Sequence, residues 1–232
     1  MLAIVLMPLM ALFSDAKEFC DPQRCPWRCP IRKETRHQVN GLERATGLTA
    51  QVQAFRRRAG FYRSQPDVDA LVSAGANDVL DFIDEGLIDA ALETRTRRDD
   101  RRLVRSAVQS ISGNLIGNID RLTGVVDEVA VLGALPLTST PLVVSKSEQL
   151  NSRSAKTLKA MVNGVSRRVM RMLAREYRRQ NSVAIIDAQP LWSKIANPGF
   201  IDPVHPSSQA SGELAQLIVS KVSDRLPGFG FG

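Results

Sequence analysis

Val68-Asp69-Ala70-Leu71-Val72-Ser73-Ala74-Gly75-Ala76-Asn77-Asp78 is the stretch that decides the fold. It opens as a short apolar run and ends on a glycine, the pattern of a strand buried on both faces of a parallel sheet. Two further runs of this kind follow, Val129-Ala130-Val131-Leu132 and Val183-Ala184-Ile185-Ile186-Asp187. Between them the apolar residues recur at helical spacing. The stretch from Leu103 to Val125 carries Val108, Ile111, Leu115, Ile119 and Leu122 on one face. From about Ser154 to Gln180, Leu158, Val162, Val165, Val169, Met172 and Leu173 do the same. A last helix runs from about Ser208 to Leu226, with Leu214, Leu217, Ile218 and Val222 in line. Strand alternating with helix three times predicts an α/β fold: a three-layer α/β/α sandwich around a mostly parallel sheet.

Upstream of Val68, Leu48, Val52 and Phe55 mark one more helical face. Residues 16 to 40 hold Pro22, Pro26, Pro30 and several arginines without periodicity, and read as an irregular loop. The first thirteen residues, MLAIVLMPLMALF, are apolar but too short to span a bilayer as a helix. They fit the core of an export signal or a buried first strand, and both readings stay open. The chain thus divides into an irregular or diverged segment, 1–40, and a domain over 41–232. After Asp78, the residues Val79, Leu80, Phe82, Ile83, Leu87 and Ile88 suggest a helix or helical loop, and a charged stretch follows from Glu93 to Arg102.

The chain has 232 residues, 44% of them hydrophobic and 24% charged, enough for one sizeable buried core in a soluble domain. Aromatic residues make up only 5%, so Leu, Val, Ile and Ala must build that core. A net charge of +7 raises the question of a polyanionic partner. The basic residues, however, fall on the predicted helices, at Arg56 to Arg58, Arg95 to Arg105 and Arg167 to Arg179, where such runs form solvated faces. They carry no interleaved series of aromatic stacking platforms, so a nucleic-acid partner is not expected. Cys20, Cys25 and Cys29 lie near His37, but C-x4-C-x3-C is not the spacing of a zinc-knuckle pair, and no metal is expected there. An odd number of cysteines lets at most two pair within the chain.

In open parallel sheets, reactive groups gather where loops leave the carboxyl ends of the strands. In the first such loop, Gly75 permits a sharp turn and Asn77 can donate its side-chain amide into a cleft. Gly-Ala-Asn-Asp is also ordinary turn chemistry. The second is Asn197-Pro198-Gly199-Phe200-Ile201-Asp202-Pro203-Val204-His205-Pro206, which contains one of only two histidines in the chain. Prolines stiffen it, and an aspartate three positions before a histidine can hold the imidazole in one tautomer. The competing reading is a capping segment, with Ser207 or Ser208 capping the next helix and His205 merely exposed.

Together these two loops resemble the third and fifth conserved blocks of the SGNH/GDSL hydrolases, in GAND at Gly75 to Asp78 and DPVHPS at Asp202 to Ser207. The likeness continues between them, in the lipase/acylhydrolase-like branch. Leu48-Thr49-Ala50-Gln51-Val52 is similar to the segment before the third block. Val131 to Pro136 with Thr140-Pro141 resembles that branch's NLPDLG…TP, and Asn197-Pro198-Gly199-Phe200 its NP…GF. The resemblance covers about residues 40 to 226.

It implies an SGNH, flavodoxin-like α/β/α fold that hydrolyses carboxylic esters through a serine acyl-enzyme, with no metal or cofactor. His205 would be the general base, Asp202 its orienting partner and Asn77 an oxyanion donor. The family also uses a serine in a GDSL motif near the N-terminus and a glycine N–H in the oxyanion hole. This sequence has no GDSL. Ser14, in Leu12-Phe13-Ser14-Asp15-Ala16, is the best stand-in, 63 positions before Asn77 (77 − 14), but it lacks the preceding Gly-Asp and reads slightly better as an ordinary loop serine. For the glycine, Gly41 is the first candidate and Gly47 the second. The expected partner is a small-molecule or lipid ester, the alternative a catalytically impaired binding or structural protein, and the expected location extracytoplasmic.

Overall fold

The computed structural model describes residues 2–6, 48–57, 68–73, 75–82 and 96–230. Four strands form one wholly parallel sheet in the order β1 (Leu2–Leu6), β2 (Val68–Ser73), β3 (Glu128–Leu132) and β4 (Val183–Ile186). The register sets Leu6 beside Val72, Val72 beside Val131 and Val131 beside Ile185. Of the two readings of the apolar start, Leu2–Leu6 follows the strand reading. Seven helices accompany the strands among the described residues: α1 (Leu48–Arg57), α2 (Ala76–Phe82), α3 (Arg97–Thr123), α4 (Pro141–Glu148), α5 (Ser152–Glu176), α6 (Ala188–Trp192) and α7 (Ser208–Arg225).

The period-two alternation of the strands sorts their side chains into two cores. Val68, Ala70, Val72, Val129, Val131 and Val183 pack with α1, α3 and α5 on one face. Leu71, Ala130, Leu132, Ala184 and Ile186 pack with α6 and α7 on the other. This is the three-layer α/β/α sandwich expected. Strands added one after another in one direction by right-handed crossovers put every crossover helix on the same face, which is where α1, α3 and α5 lie. Each fully buried aliphatic side chain in these layers is worth about 1.5–3 kcal/mol. Truncating Leu158 of α5, fully buried between α5 and the sheet, to Ala would cost about 2–5 kcal/mol.

Helix boundaries show what apolar periodicity misses. α3 begins at Arg97, inside the stretch expected to be a charged connection. Thr96 caps it: the Thr96 hydroxyl accepts the Asp99 N–H at 3.4 Å, and the Asp99 carboxylate accepts the Thr96 N–H at 3.2 Å. The exposed first turns carry no apolar face, so only this T-x-x-D capping box announces them. Asn151 starts α5 two residues before its expected beginning by accepting the Ser154 N–H at 2.9 Å. Asp187, expected to close β4, instead caps α6 through the Gln189 N–H at 3.0 Å.

Ser14, Gly41, Gly47, Cys20, Cys25, Cys29 and His37 lie outside the described residues. Among the described residues, no group of three His, Cys, Asp or Glu side chains is placed to hold a metal ion. No described helix is long and apolar enough to cross a membrane.

Candidate active site

Two of the predicted site residues sit on one rigid loop between α6 and α7. Phe200 and Pro206 form an antiparallel bridge that closes it. The Ile201 N–H donates to the His205 carbonyl at 2.9 Å, and the Ser207 N–H to the Gly199 carbonyl at 2.8 Å. The Phe200 ring rests on the buried Trp192 of α6, with centroids 5.4 Å apart and planes at 45°. Pro206 is buried, and Ser207 caps α7 by accepting the Ala210 N–H at 3.3 Å. The capping expectation and the dyad expectation therefore describe one loop, and do not compete.

The loop is also fastened to the next strand's territory. The Leu142 N–H donates to the Pro203 carbonyl at 2.8 Å. Leu142 stands in the first turn of α4, where backbone N–H groups lack helical partners, so Pro203 satisfies one of them. α4 follows β3, and this bond holds the His205 loop at the carboxyl edge of the sheet.

Within the loop, Asp202 uses both carboxylate oxygens. Oδ1 accepts the backbone N–H groups of Val204 and His205, each at 2.8 Å. Oδ2 is hydrogen-bonded to His205 Nδ1. Partial burial works against the ionised form of Asp202. The Val204 N–H, the His205 ring and the His205 N–H outweigh it and hold the carboxyl below its ordinary range. Because Asp202 is ionised, Nδ1 must be the donor, and the neutral imidazole carries its lone pair on Nε2. Among the described residues Nε2 has no hydrogen-bond partner, and the His205 side chain is 25% exposed. This is the arrangement of a base that is oriented from behind and open in front.

Asn77 occupies the second position of α2, immediately beyond β2. The chain turns there on Gly75, whose φ of +92° is in the left-handed region that favours glycine. A Cβ at Gly75 would meet Leu115 Cδ1 at 3.6 Å, an ordinary contact, so conformation and not space calls for glycine. The Gly75 carbonyl accepts the Val79 N–H at 3.2 Å and begins the helix. Burial pushes the neighbouring Asp78 carboxyl up, its own backbone N–H pulling the other way. Asn77 thus stands in the first turn of the helix that follows β2, and His205 on the loop after α6, the helix that follows β4, with β3 between the two strands. Reading the sequence singled out Asp202, His205 and Asn77 but missed Trp192. That buttress is signalled only by the rarity of tryptophan in this chain, which has two.

Fold and site together define an α/β/α protein that presents a carboxylate-oriented imidazole at the carboxyl edge of a parallel sheet. The chain belongs to the GDSL-like lipase/acylhydrolase family, whose model matches residues 31–218. The match contains Gly41, Asn77, Asp202 and His205 and begins after Ser14. A search of the curated proteins finds no match. Among solved structures, a member of the lipolytic protein G-D-S-L family from Veillonella parvula is similar, at 15% identity and a TM-score of 0.46. That alignment covers 78% of this chain and 76% of the other.

Proposed function

We propose that this protein hydrolyses carboxylic esters, of lipids or small molecules, through a serine acyl-enzyme. The observation that supports this reading is the Asp202–His205 pair, which leaves Nε2 free to take a proton. In the proposed reaction the Ser14 hydroxyl attacks the ester carbonyl and passes its proton to His205 Nε2. The tetrahedral oxyanion accepts hydrogen bonds from the Asn77 amide and the Gly41 N–H. Its collapse expels the alcohol, which leaves with the proton from Nε2, and the acyl group stays on the serine. Water then repeats the sequence and releases the acid. Asp202 stabilises the imidazolium in both halves.

The test is a fluorophosphonate probe followed by mass mapping of the labelled residue. Such a probe phosphonylates a serine only where a base activates it and an oxyanion hole receives the adduct. Label on Ser14 supports the assignment, and label on another serine keeps the reaction but moves the nucleophile. A folded protein that takes no label overturns the reading. The second reading, a scaffold that binds esters without turning them over, is favoured by the missing GDSL and by a family match that begins beyond Ser14.

A further inference from the structure

We propose that the outer face of α5 is a docking surface for an anionic lipid bilayer. Residues 152–180 hold nine Lys and Arg and one Glu, a net charge of +8 (9 − 1). The whole chain carries +7, from 31 basic and 24 acidic residues, so the remaining 203 residues carry −1 (22 − 23). All nine basic side chains are exposed. Arg167, Arg171 and Arg175 follow one another at four-residue spacing, on the side away from the buried Leu158, Val162, Val165, Val169 and Leu173. No ion pair engages any of them among the described residues, and the Arg171 Nε donates only to the Arg167 carbonyl, at 3.3 Å.

A row of like charges at four-residue spacing works against the helix that carries it. Solvated faces normally mix the two signs, as α7 does with Lys221 bonded to Asp224 at 2.9 Å. The unmixed row on α5 therefore points to a fixed negative counterpart. The neighbouring helix also carries basic residues, mixed there with Asp99 and Asp100. α3 lies beside α5 in the same layer, joined to it by the Tyr177 hydroxyl on the Asp120 carboxylate at 2.7 Å, and Arg97, Arg98, Arg101 and Arg102 are exposed on its first turns. A groove between α1 and the end of α3 is lined by Arg56, Arg57 and Arg121, and by Asp120.

The shape of this layer suits a plane. A helix about 37 Å long, flanked by a second one, presents a broad face and does not project into a duplex groove about 12 Å wide. Tyr177, the aromatic residue within the basic run, is 3% exposed and offers no stacking platform for bases. The surface is separate from the Asp202–His205 loop, so the docking stands or falls independently of turnover.

The test is sedimentation of the full chain with vesicles of phosphatidylglycerol and phosphatidylcholine, against vesicles of phosphatidylcholine alone. Binding is expected only to the anionic vesicles and weakens as salt rises. The triple variant Arg167→Gln, Arg171→Gln and Arg175→Gln keeps good helix formers at exposed positions and should lower the partition coefficient by about a hundredfold. A control triple, Lys194→Gln, Lys221→Gln and Arg225→Gln, removes the same charge elsewhere and should bind nearly as the parent does. Equal loss in both triples reduces the effect to net charge and overturns the proposal. So does equal binding to neutral vesicles, no binding to either kind, or retention by duplex DNA with none by vesicles.

Discussion

Asp202 holds His205 at two points, the ring through Oδ2 and the backbone N–H through Oδ1 at 2.8 Å. One carboxylate thereby fixes both where the histidine's backbone lies and how its imidazole turns. The spacing of three residues makes this possible: the chain curls back within a single Asx-type turn, which the Val204 N–H completes at 2.8 Å. The prolines on either side limit the ways in which that turn can open.

His205→Ala should abolish ester hydrolysis while the melting transition stays close to the parent's, since the side chain is partly exposed. Asp202→Asn should lower kcat by about a hundredfold or more, because the amide can hold the ring in the wrong tautomer. Steady-state assays on a soluble ester read both. Hydrolysis at the parent rate in His205→Ala would remove this residue from the role of base.

Acid should loosen the loop before it unfolds the domain. The Asp202 carboxyl lies below its ordinary value of 3.8, so its hydrogen bonds contribute fully above that value. The contribution is lost as pH falls further, through the lowered value, because protonation removes the charged acceptor. Hydrogen exchange at the Val204 and His205 amides should accelerate over that range. In Asp202→Asn the acceleration should vanish, and its persistence would assign the acid sensitivity to another group.

Asn77→Ala should lower kcat by about a hundredfold or more with little change in KM if its amide reaches the developing oxyanion. Such a split marks an interaction made only in the transition state. An unchanged rate would return Asn77 to the part of a turn residue after Gly75.

The sheet was legible in the sequence because the runs of β2, β3 and β4 are continuous and apolar, and parallel strands buried on both faces leave that signature. Asp202 and His205 were legible for a local reason, since the whole device fits within one turn. The start of α3 was hidden, because Arg97 to Arg102 face solvent and carry no periodicity, and a four-residue capping box, Thr96 to Asp99, was the sole clue. Trp192 and the Leu142–Pro203 bond were hidden for the opposite reason. Leu142 and Pro203 lie 61 positions apart (203 − 142), and Trp192 meets Phe200 across a helix end, so no periodic pattern records either contact.

Tyr177→Phe tests such a contact. The hydroxyl bonds the Asp120 carboxylate at 2.7 Å and approaches the Ile116 carbonyl at 3.1 Å, tying α5 to α3. Burial, and then the bond to Asp120, push its ionisation far above the usual range, so it remains a neutral donor. Asp120 is exposed and water can replace the lost donor, so the loss should be about 1 kcal/mol. For a chain of this size that corresponds to a fall in Tm of about 2–4 °C. No change would mean that water serves the carboxylate equally well in the variant.

The least settled spot in the described core is where β2 and β3 start. Asp69 and Glu128 are register partners there, on the face that packs against α6 and α7. Asp69 is answered by the Gly230 N–H at 2.9 Å, but among the described residues the buried Oε2 of Glu128 has no partner. Desolvation first, then the charges of Asp69 and Asp127, push the Glu128 carboxyl above its ordinary value of 4.5. The sign of the linkage follows from that direction. Stability is fully present while Glu128 is protonated, below the unfolded value, and is lost as pH rises through the higher folded value. Glu128→Gln keeps the shape and removes the charge, so it should melt above the parent at neutral pH and lose this part of the decline. The two proteins should converge under acid conditions, where both side chains are neutral. A glutamine variant that melts lower at neutral pH would show that the ionised carboxylate is stabilised there by groups outside the described residues.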